Sequence, residues 1–241
     1  MIGLGTLINT IGIVIGGFSG MFFGKLLKNR YQEALNMVCG VSVLFIGIAG
    51  AMEGMLSVKD GVITSSQAML VTLCLAFGTL IGEIIDIECF FEKFGEWLKH
   101  KTGSSKDSKF VNAFVTSSLT VCIGAMAIVG AIQDGISGNW SILATKAILD
   151  LIVIMIMTCS LGKGCILSAI PVLIFQGLTT VLASLLKPIM TDLAIKYLSL
   201  IGSILIFCVG TNLVWNKKIR VANMLPSIIL AVIAAFLPSL F

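Results

Sequence analysis

Eight long apolar segments occupy most of this 241-residue chain and decide what it can fold into. A hydrocarbon core about 30 Å thick requires roughly 20 apolar residues in each helix that crosses it. The sequence therefore predicts an all-α membrane protein with about eight transmembrane helices, forming one polytopic domain over residues 1–241. The predicted spans are 2–24, 34–56, 67–86, 110–133, 142–160, 164–186, 192–214 and 222–240.

The composition argues against a soluble domain and against several kinds of site. Mean hydropathy is +1.07 and 12% of residues are charged, about half the share found in soluble proteins. The seven cysteines form no Cys-x-x-Cys pair, so neither a disulfide framework nor a zinc site is expected. With His100 as the only histidine, no metalloprotease motif and no phosphate loop, we expect no enzyme activity, metal or cofactor.

The positive charges predict how the chain is oriented. Of the 16 Lys and Arg residues, 12 follow the first, third, fifth and seventh predicted spans. Cytoplasmic loops of membrane proteins collect Lys and Arg, so both termini are predicted to face outward. This distribution explains the net charge of +4 without a nucleic-acid partner. The first span lacks a small-residue cleavage site, which predicts a retained helix.

Residues 87–109 form the longest segment outside the predicted spans. Phe90, Phe94 and Trp97 recur at helical spacing, with Glu and Lys on the other side. The pattern predicts a cytoplasmic amphipathic helix that lies either in the membrane interface or on the loops of its own bundle. Residues 99–109 are polar and predict a flexible linker.

Glycines recur every fourth residue along the first span, at Gly12, Gly16, Gly20 and Gly24. They line one helical face, where the absence of side chains lets another backbone approach closely. The partner is either another helix of the same chain or a second copy in a homodimer. A third interpretation is that the face lines a pathway.

Two segments in different spans have similar sequences. Residues 42–50 (SVLFIGIAG) resemble residues 203–210 (SILIFCVG), with one residue missing. Because the two spans are predicted to cross in opposite directions, the similarity predicts an inverted repeat of spans 1–3 and 6–8. Inverted repeats are common in transporters, where they place the binding site near the bilayer midplane.

Two charged residues lie inside the fifth predicted span. Lys146 and Asp150 are one helical turn apart and therefore share a face. A charge at the bilayer centre costs roughly 2.5–3.5 kcal/mol, and such residues usually face a cavity or a partner. The pair either fixes helix packing or binds a substrate or proton.

Amide side chains are the other strong polar signal. Asn9 lies in the first span, Asn212 in the seventh, and Gln176 in the sixth, five residues after Pro171. A proline inside a helix removes a backbone hydrogen bond and can free carbonyl groups. A buried amide needs partners, which are supplied either by neighbouring helices or by a ligand.

The stretches that carry a family resemblance are residues 5–9 (GTLIN), 82–83 (GE), 114–135 (FVTSSLTVCIGAMAIVGAIQDG), 145–150 (TKAILD), 167–177 (LSAIPVLIFQG), and Asn212 followed by residues 218–226 (KIRVANMLP). Together they resemble the YqgA/YdfK-like bacterial membrane proteins, and the match covers essentially the whole chain. Ala125 stands where many relatives have proline, so the resemblance alone does not fix a helix break at Gly124. It implies a bacterial inner-membrane protein from a family of unknown function, described as candidate transporters.

The polar residues within spans and family-like motifs form the predicted pathway. Asp150 is expected to be the proton- or cation-linked carboxylate, with Lys146 as its modulator or an anion contact. The predicted function is secondary transport of a small polar solute or ion; the alternatives are a passive channel formed by a homo-oligomer and a membrane scaffold. The predicted partners are lipid and the solute. The pathway residues are Asn9, Gln133, Asp134, Lys146, Asp150, Gln176 and Asn212.

Overall fold

The computed structural model describes residues 2–59, 61–104, 107–123, 125–215 and 219–237. Within those ranges the chain is built almost entirely from helices. Two short 3₁₀ helices, Lys163–Ser168 and Val221–Met224, precede α8 and α11 respectively. The helices are α1 (Leu4–Leu26), α2 (Asn29–Met55), α3 (Ala68–Ile85), α4 (Ile87–Lys101), α5 (Phe110–Cys122), α6 (Ala125–Ser137), α7 (Ser141–Leu161), α8 (Ala169–Val181), α9 (Ala183–Leu186), α10 (Asp192–Trp215) and α11 (Pro226–Ala234).

Six helical segments in the described ranges are long and apolar enough to cross a membrane. They are α1, Arg30–Met55, α3, α7, Lys163–Val181 and α10. The pair α5 and α6 adds a seventh if it counts as one span, although the two helices are bent by 61°. The prediction of a helical, multi-pass membrane protein is therefore confirmed.

The eighth predicted span, 222–240, is not confirmed. The apolar segment that the structure describes in this region is Val221–Ala234, which as a helix is about 20 Å long and so shorter than the hydrocarbon core. The segment begins as a 3₁₀ helix, and Pro226 starts the α-helix that follows. Residues 238–240 of the prediction lie outside the described part of the chain.

A short β-hairpin that the sequence pattern did not indicate joins α2 to α3. Strands β1 (Leu56–Lys59) and β2 (Val62–Ser65) pair antiparallel, with Leu56 opposite Ser65 and Lys59 opposite Val62. Gly61, at a positive φ of 76°, lies between the strands.

Large apolar side chains cover the outer faces of several helices. Phe22 of α1 is 64% exposed and Ile84 of α3 is 76% exposed. Soluble proteins rarely expose apolar patches of this extent. Contact with lipid tails avoids the free-energy cost of exposing these side chains to water. The exposed faces therefore agree with placement in a bilayer.

Helix α10 lies at the centre of the main buried cluster. Its Leu200, Ile201 and Leu205 are fully buried and pack with residues of α2 and α3, among them Val43 and Cys74. Helix α3 packs against Ser227 of α11 through Gly78 and against Asn223 of the preceding 3₁₀ helix through Gly82. The apolar core thus gathers the N-terminal helices around a helix from the C-terminal part of the chain.

The two similar segments found in the sequence face each other. Gly47 of α2 lies against the backbone of Phe207 and Ser203 of α10, and Gly210 of α10 lies against Leu44 of α2. The contact is reciprocal, since each helix supplies a glycine to the other. This packing does not establish that the surrounding spans form an inverted repeat.

Helix α4 packs on α5, which is part of the fourth predicted span and not a loop. The rings of Phe94 and Phe114 lie with their centroids 5.8 Å apart, and Leu98 is buried beside them. On another side of α4, Phe90 and Trp97 are exposed, as a helix at a membrane interface requires. The placement of α4 in the cytoplasmic interface stays a prediction.

Candidate functional site

A break in the fourth predicted span creates the centre of the candidate site. Helix α5 ends at Cys122, α6 begins at Ala125, and the intervening Gly124 lies outside the described residues. The last four carbonyl groups of a helix have no partner within it. The bend of 61° between α5 and α6 therefore leaves backbone oxygens of α5 without partners in their own helix, although alanine stands at 125 instead of proline.

Lys146 satisfies one of these carbonyl groups. Its Nζ donates a hydrogen bond to the Val121 carbonyl oxygen, at 2.8 Å, and also forms an ion pair with Oδ2 of Asp150. Lys146 and Asp150 are both buried, with 6% and 7% of their surface exposed. A buried ion pair is costly unless hydrogen bonds satisfy its remaining groups; here the carbonyl end of α5 does so, and it favours a cation.

Asn9 and Gln176 extend the polar cluster from α7 to α1 and α8. Nδ2 of Asn9 donates a hydrogen bond to Oε1 of Gln176, at 3.2 Å. Both residues are fully buried, and the Asn9 side chain also interacts with Asp150. Three predicted pathway residues from three helices therefore meet in one place.

The polar contacts continue from Asn9 toward the N-terminal end of α1. The hydroxyl oxygens of Thr6 and Thr180 lie 3.3 Å apart. Further along, the backbone N–H of Gly5 donates to Oδ2 of Asp134, at 3.0 Å. We call the series from Asp134 through these threonines, Asn9 and Gln176 to Asp150 the polar ladder.

Several atoms of the polar ladder are buried without a partner. Oδ1 of Asn9, Nε2 of Gln176 and Oδ1 of Asp134 have no hydrogen bond in the described part of the chain. An unsatisfied buried polar group costs about 1–3 kcal/mol, so each one requires an explanation. The ladder therefore retains hydrogen-bonding capacity for a ligand or for water.

The glycine face of α1 brings this ladder together. Gly12 lies against Ala147 and Gly24 against Cys159, while a Cβ at Gly16 or Gly20 would collide with backbone carbonyl oxygens of α7. Such close approach of two backbones is possible only without side chains. The face therefore packs within the chain, and this contact holds Asn9 beside Asp150.

Two predicted pathway residues are placed differently. Asn212, near the end of α10, donates from Nδ2 to the Ile219 carbonyl oxygen (2.8 Å) and accepts the Ile219 N–H at Oδ1 (2.9 Å). This arrangement holds Ile219 against the end of α10 and does not join the ladder. Gln133 is half-buried and precedes Asp134 on α6, and no described contact links its side chain to the ladder.

Sequence reasoning missed Thr6 and Thr180. Thr6 lies three residues before Asn9, and Thr180 lies four residues after Gln176, so each shares a helical face with a predicted site residue. The sequence alone would have allowed this spacing to be recognised. It could not have predicted the role of the Val121 carbonyl group, because every residue has a backbone oxygen.

A polar cavity of about 570 Å³ lies at the other end of α5. Its lining includes Glu88 and Glu92 of α4, Thr116 of α5, Asn212 and Arg220. Burial raises the pKa of Glu88, while its backbone hydrogen bond and the charge of Arg220 oppose this shift. The loops around this cavity are those predicted to be cytoplasmic.

Comparisons with known proteins place the chain among uncharacterised membrane proteins. The profile of the family described as "Protein of unknown function (DUF554)" matches residues 4–236. The chain is 26% identical to "Uncharacterized membrane protein YdfK" of Bacillus subtilis (strain 168) over 232 residues, covering 96% of this chain and 95% of the relative. It is 30% identical to "Uncharacterized protein YqgA" of Escherichia coli (strain K12), covering 95% and 94% respectively. No solved structure matches significantly.

Proposed function

The chain belongs to the family described as "Protein of unknown function (DUF554)", and for this member we propose secondary transport across the bacterial inner membrane. The cargo is a small polar solute or ion, and a proton or cation gradient drives its movement. Eight spans with both termini outside, and an inverted repeat of spans 1–3 and 6–8, are parts of the same proposal. The reciprocal glycine contacts between α2 and α10 support the repeat.

The observation that carries the proposal is the buried Lys146–Asp150 pair at the break between α5 and α6. Ionisable residues inside membrane spans usually mark substrate, ion or proton pathways. Discontinuous helices are a common element of transporter binding sites, because their free backbone groups coordinate ions near the midplane. Both features occur here at the same point.

The polar ladder supplies one half of a pathway. Its contacts run from Asp150 through Asn9 to Thr6 and Asp134, along the first half of α1. Under the proposed topology this end faces outward, while the cavity beside Glu88 opens on the cytoplasmic side. Because the ladder is buried, we assign the structure to an occluded state of the transport cycle.

A passive channel built on the glycine face has less support. That model requires Gly12, Gly16, Gly20 and Gly24 at an interface between two copies. In the structure the same face is covered by α7, which leaves no room for a second chain there.

The test is solute transport by purified protein in proteoliposomes. A panel of small polar solutes and inorganic ions is applied under an imposed pH or sodium gradient, and flux is followed with an internal pH dye and by membrane electrophysiology. We expect Asp150→Asn to abolish coupled flux, because the variant cannot carry the charge that couples the gradient to movement. Asp192→Asn, at the exposed start of α10, is the matched control and should transport normally.

Folding must be checked before the flux result is interpreted. Gel filtration and circular dichroism should show that Asp150→Asn remains monodisperse and helical. Wild-type flux in a folded Asp150→Asn variant would contradict the assignment of Asp150. No flux of any solute through the wild-type protein across the panel would contradict the transport proposal.

A further inference from the structure

We propose that a cavity at the ends of α1 and α7 binds the phosphate group of an anionic phospholipid. The cavity has a volume of about 330 Å³ and is also bounded by residues directly before α5. None of its described lining residues belongs to the polar ladder, so this inference goes beyond the proposed transport function.

Three lysines from distant parts of the chain line this cavity. Lys25 lies in the last turn of α1, Lys109 lies directly before α5, and Lys163 follows the end of α7. Among the described residues, no carboxylate forms an ion pair with any of the three. Like charges that share a cavity repel one another, and an anion bound between them removes this repulsion.

The carboxylate of Asp107 also lines the cavity. Its Oδ1 accepts the backbone N–H of Lys109, at 3.1 Å, and the three ammonium groups outnumber it. The lining therefore keeps a positive charge, which attracts anions. Lysine is a common phosphate ligand because its ammonium group is a point charge with three hydrogen-bond donors.

Contacts between three helices give the cavity its shape. Gln32, near the start of α2, donates from Nε2 to the carbonyl oxygens of Gly24, at 2.8 Å, and of Leu27, at 3.3 Å. These bonds hold the start of α2 against the end of α1, where Gly24 packs on Cys159 of α7. Gln32, Gly24 and Cys159 all line the cavity, so its walls are fixed by the packing of the fold.

The surroundings of Lys25 favour a phospholipid over free phosphate. Phe18, Phe22 and Lys25 recur at i, i+4 and i+7 and therefore share one face of α1. Both rings are exposed, Phe18 at 56% and Phe22 at 64%. An acyl chain can lie along these rings while the headgroup phosphate contacts the ammonium groups, whereas a free phosphate ion would leave the rings uncovered.

The distribution of charge between the two sides of a membrane gives a simpler reason for these lysines. Lys and Arg collect at the cytoplasmic ends of spans, where they need only contact water. That rule does not bring three lysines to one cavity, as the fold does here. Basic cavities between transmembrane helices on the cytoplasmic side bind anionic lipid headgroups, and the proposed topology places this cavity on that side.

The experiment measures thermal unfolding of the purified full-length protein in nonionic detergent as dioleoylphosphatidylglycerol is added. Dioleoylphosphatidylcholine, which has the same acyl chains and no net charge, is the control, and inorganic phosphate is a third series. We expect a saturable rise of the unfolding midpoint with phosphatidylglycerol only, because a ligand that binds the folded state stabilises it. Equal midpoints in the two lipids would overturn the proposal, and an equal rise with inorganic phosphate would overturn the choice of a phospholipid.

Matched double variants locate the binding site. Lys25→Gln/Lys163→Gln removes two of the three ammonium groups, so the half-saturating phosphatidylglycerol concentration should rise roughly tenfold or more, since each basic residue contributes to lipid binding. Lys93→Gln/Lys101→Gln removes two exposed lysines of α4 that do not line the cavity, and it should bind as the wild type does. Equal losses in both double variants would show that net charge attracts the lipid, and wild-type binding by Lys25→Gln/Lys163→Gln would place the lipid elsewhere; either result contradicts the proposal.

Native mass spectrometry counts bound lipids without relying on unfolding. Wild-type protein released from micelles that contain equal amounts of the two lipids should retain a single phosphatidylglycerol, and Lys25→Gln/Lys163→Gln should lose it. A wild-type protein that shows no preference for phosphatidylglycerol would overturn the proposal. Because both measurements report binding, failure of the transport assay would contradict the proposed function and not this inference.

Discussion

Asn212 shows how a half-buried amide in a membrane protein can serve the fold. Both polar atoms of its side chain bond to the backbone of Ile219, and neither of these bonds belongs to the ladder. This contact holds Ile219 against α10, directly before the segment that carries Arg220 and Asn223. The latter residue in turn accepts the Glu88 backbone N–H at Oδ1, 2.7 Å away.

Replacing Asn212 tests this structural role. We expect Asn212→Leu to lower the free energy of unfolding by about 1–3 kcal/mol, because the Ile219 N–H and carbonyl lose their partners. The measurement is unfolding in detergent by denaturant. The neighbouring Thr211→Val, whose hydroxyl bonds only within α10, should cost less. Unchanged stability together with lost flux would instead place Asn212 in the transport pathway.

Single residues also show which part of the site the sequence could predict. Lys146 and Asp150 share a helical face by spacing alone, and their ion pair follows from it. The contact between Asn9 and Gln176 joins residues 167 positions apart, and only the packing register of α1 and α8 decides it. Local patterns carry no information about that register. The sequence therefore predicted both amides as site residues, but not the hydrogen bond between them.

Among the elements, the break between α5 and α6 was the least predictable. Residues 110–133 read as one continuous apolar span, and Ala125 is a good helix former. The structure stabilises the break from outside, since the Lys146 ammonium bonds the freed carbonyl of Val121. Because the break is stabilised by a side chain from another helix, the sequence of residues 110–133 gives little indication of it.

The packing of α1 on α7 leads to a prediction that compares two glycines. A Cβ at Gly16 would collide with the Leu151 carbonyl oxygen, whereas Gly177 of α8 has nothing within 4 Å of that position. We expect Gly16→Ala to destabilise the protein because α1 must move away from α7. Gly177→Ala should be neutral or should stabilise by roughly 0.5–1 kcal/mol, since alanine favours the helix.

Unfolding midpoints of the two purified variants provide the measurement. The substitution is the same in both, so the difference between them reports on the packing contact alone. Gly16→Ala should also separate Asn9 from Asp150 and reduce coupled flux. A Gly16→Ala variant as stable as Gly177→Ala would show that α1 does not approach α7 as closely as described.

At the scale of the whole molecule, hydropathy predicted a helical membrane protein correctly because burial in lipid imposes long apolar runs. It could not fix the number of spans, since Val221–Ala234 is apolar but short. It also gave no sign of the hairpin Leu56–Ser65, whose four pairs depend on a turn at Gly61. Length and composition set the class, and contacts between distant segments set the architecture.

The proposed orientation yields a prediction about chemical access. Val62 lies in the hairpin that follows α2, and Ser108 lies in the linker before α5; both are exposed. If the Lys- and Arg-rich loops are cytoplasmic, a membrane-impermeant maleimide added to intact cells should label Val62→Cys and not Ser108→Cys. Disruption of the cells should make both sites reactive, and the wild-type chain gives the background from its native cysteines. The opposite labelling pattern would invert the topology and, with it, the assignment of the polar ladder to the outer half of the pathway.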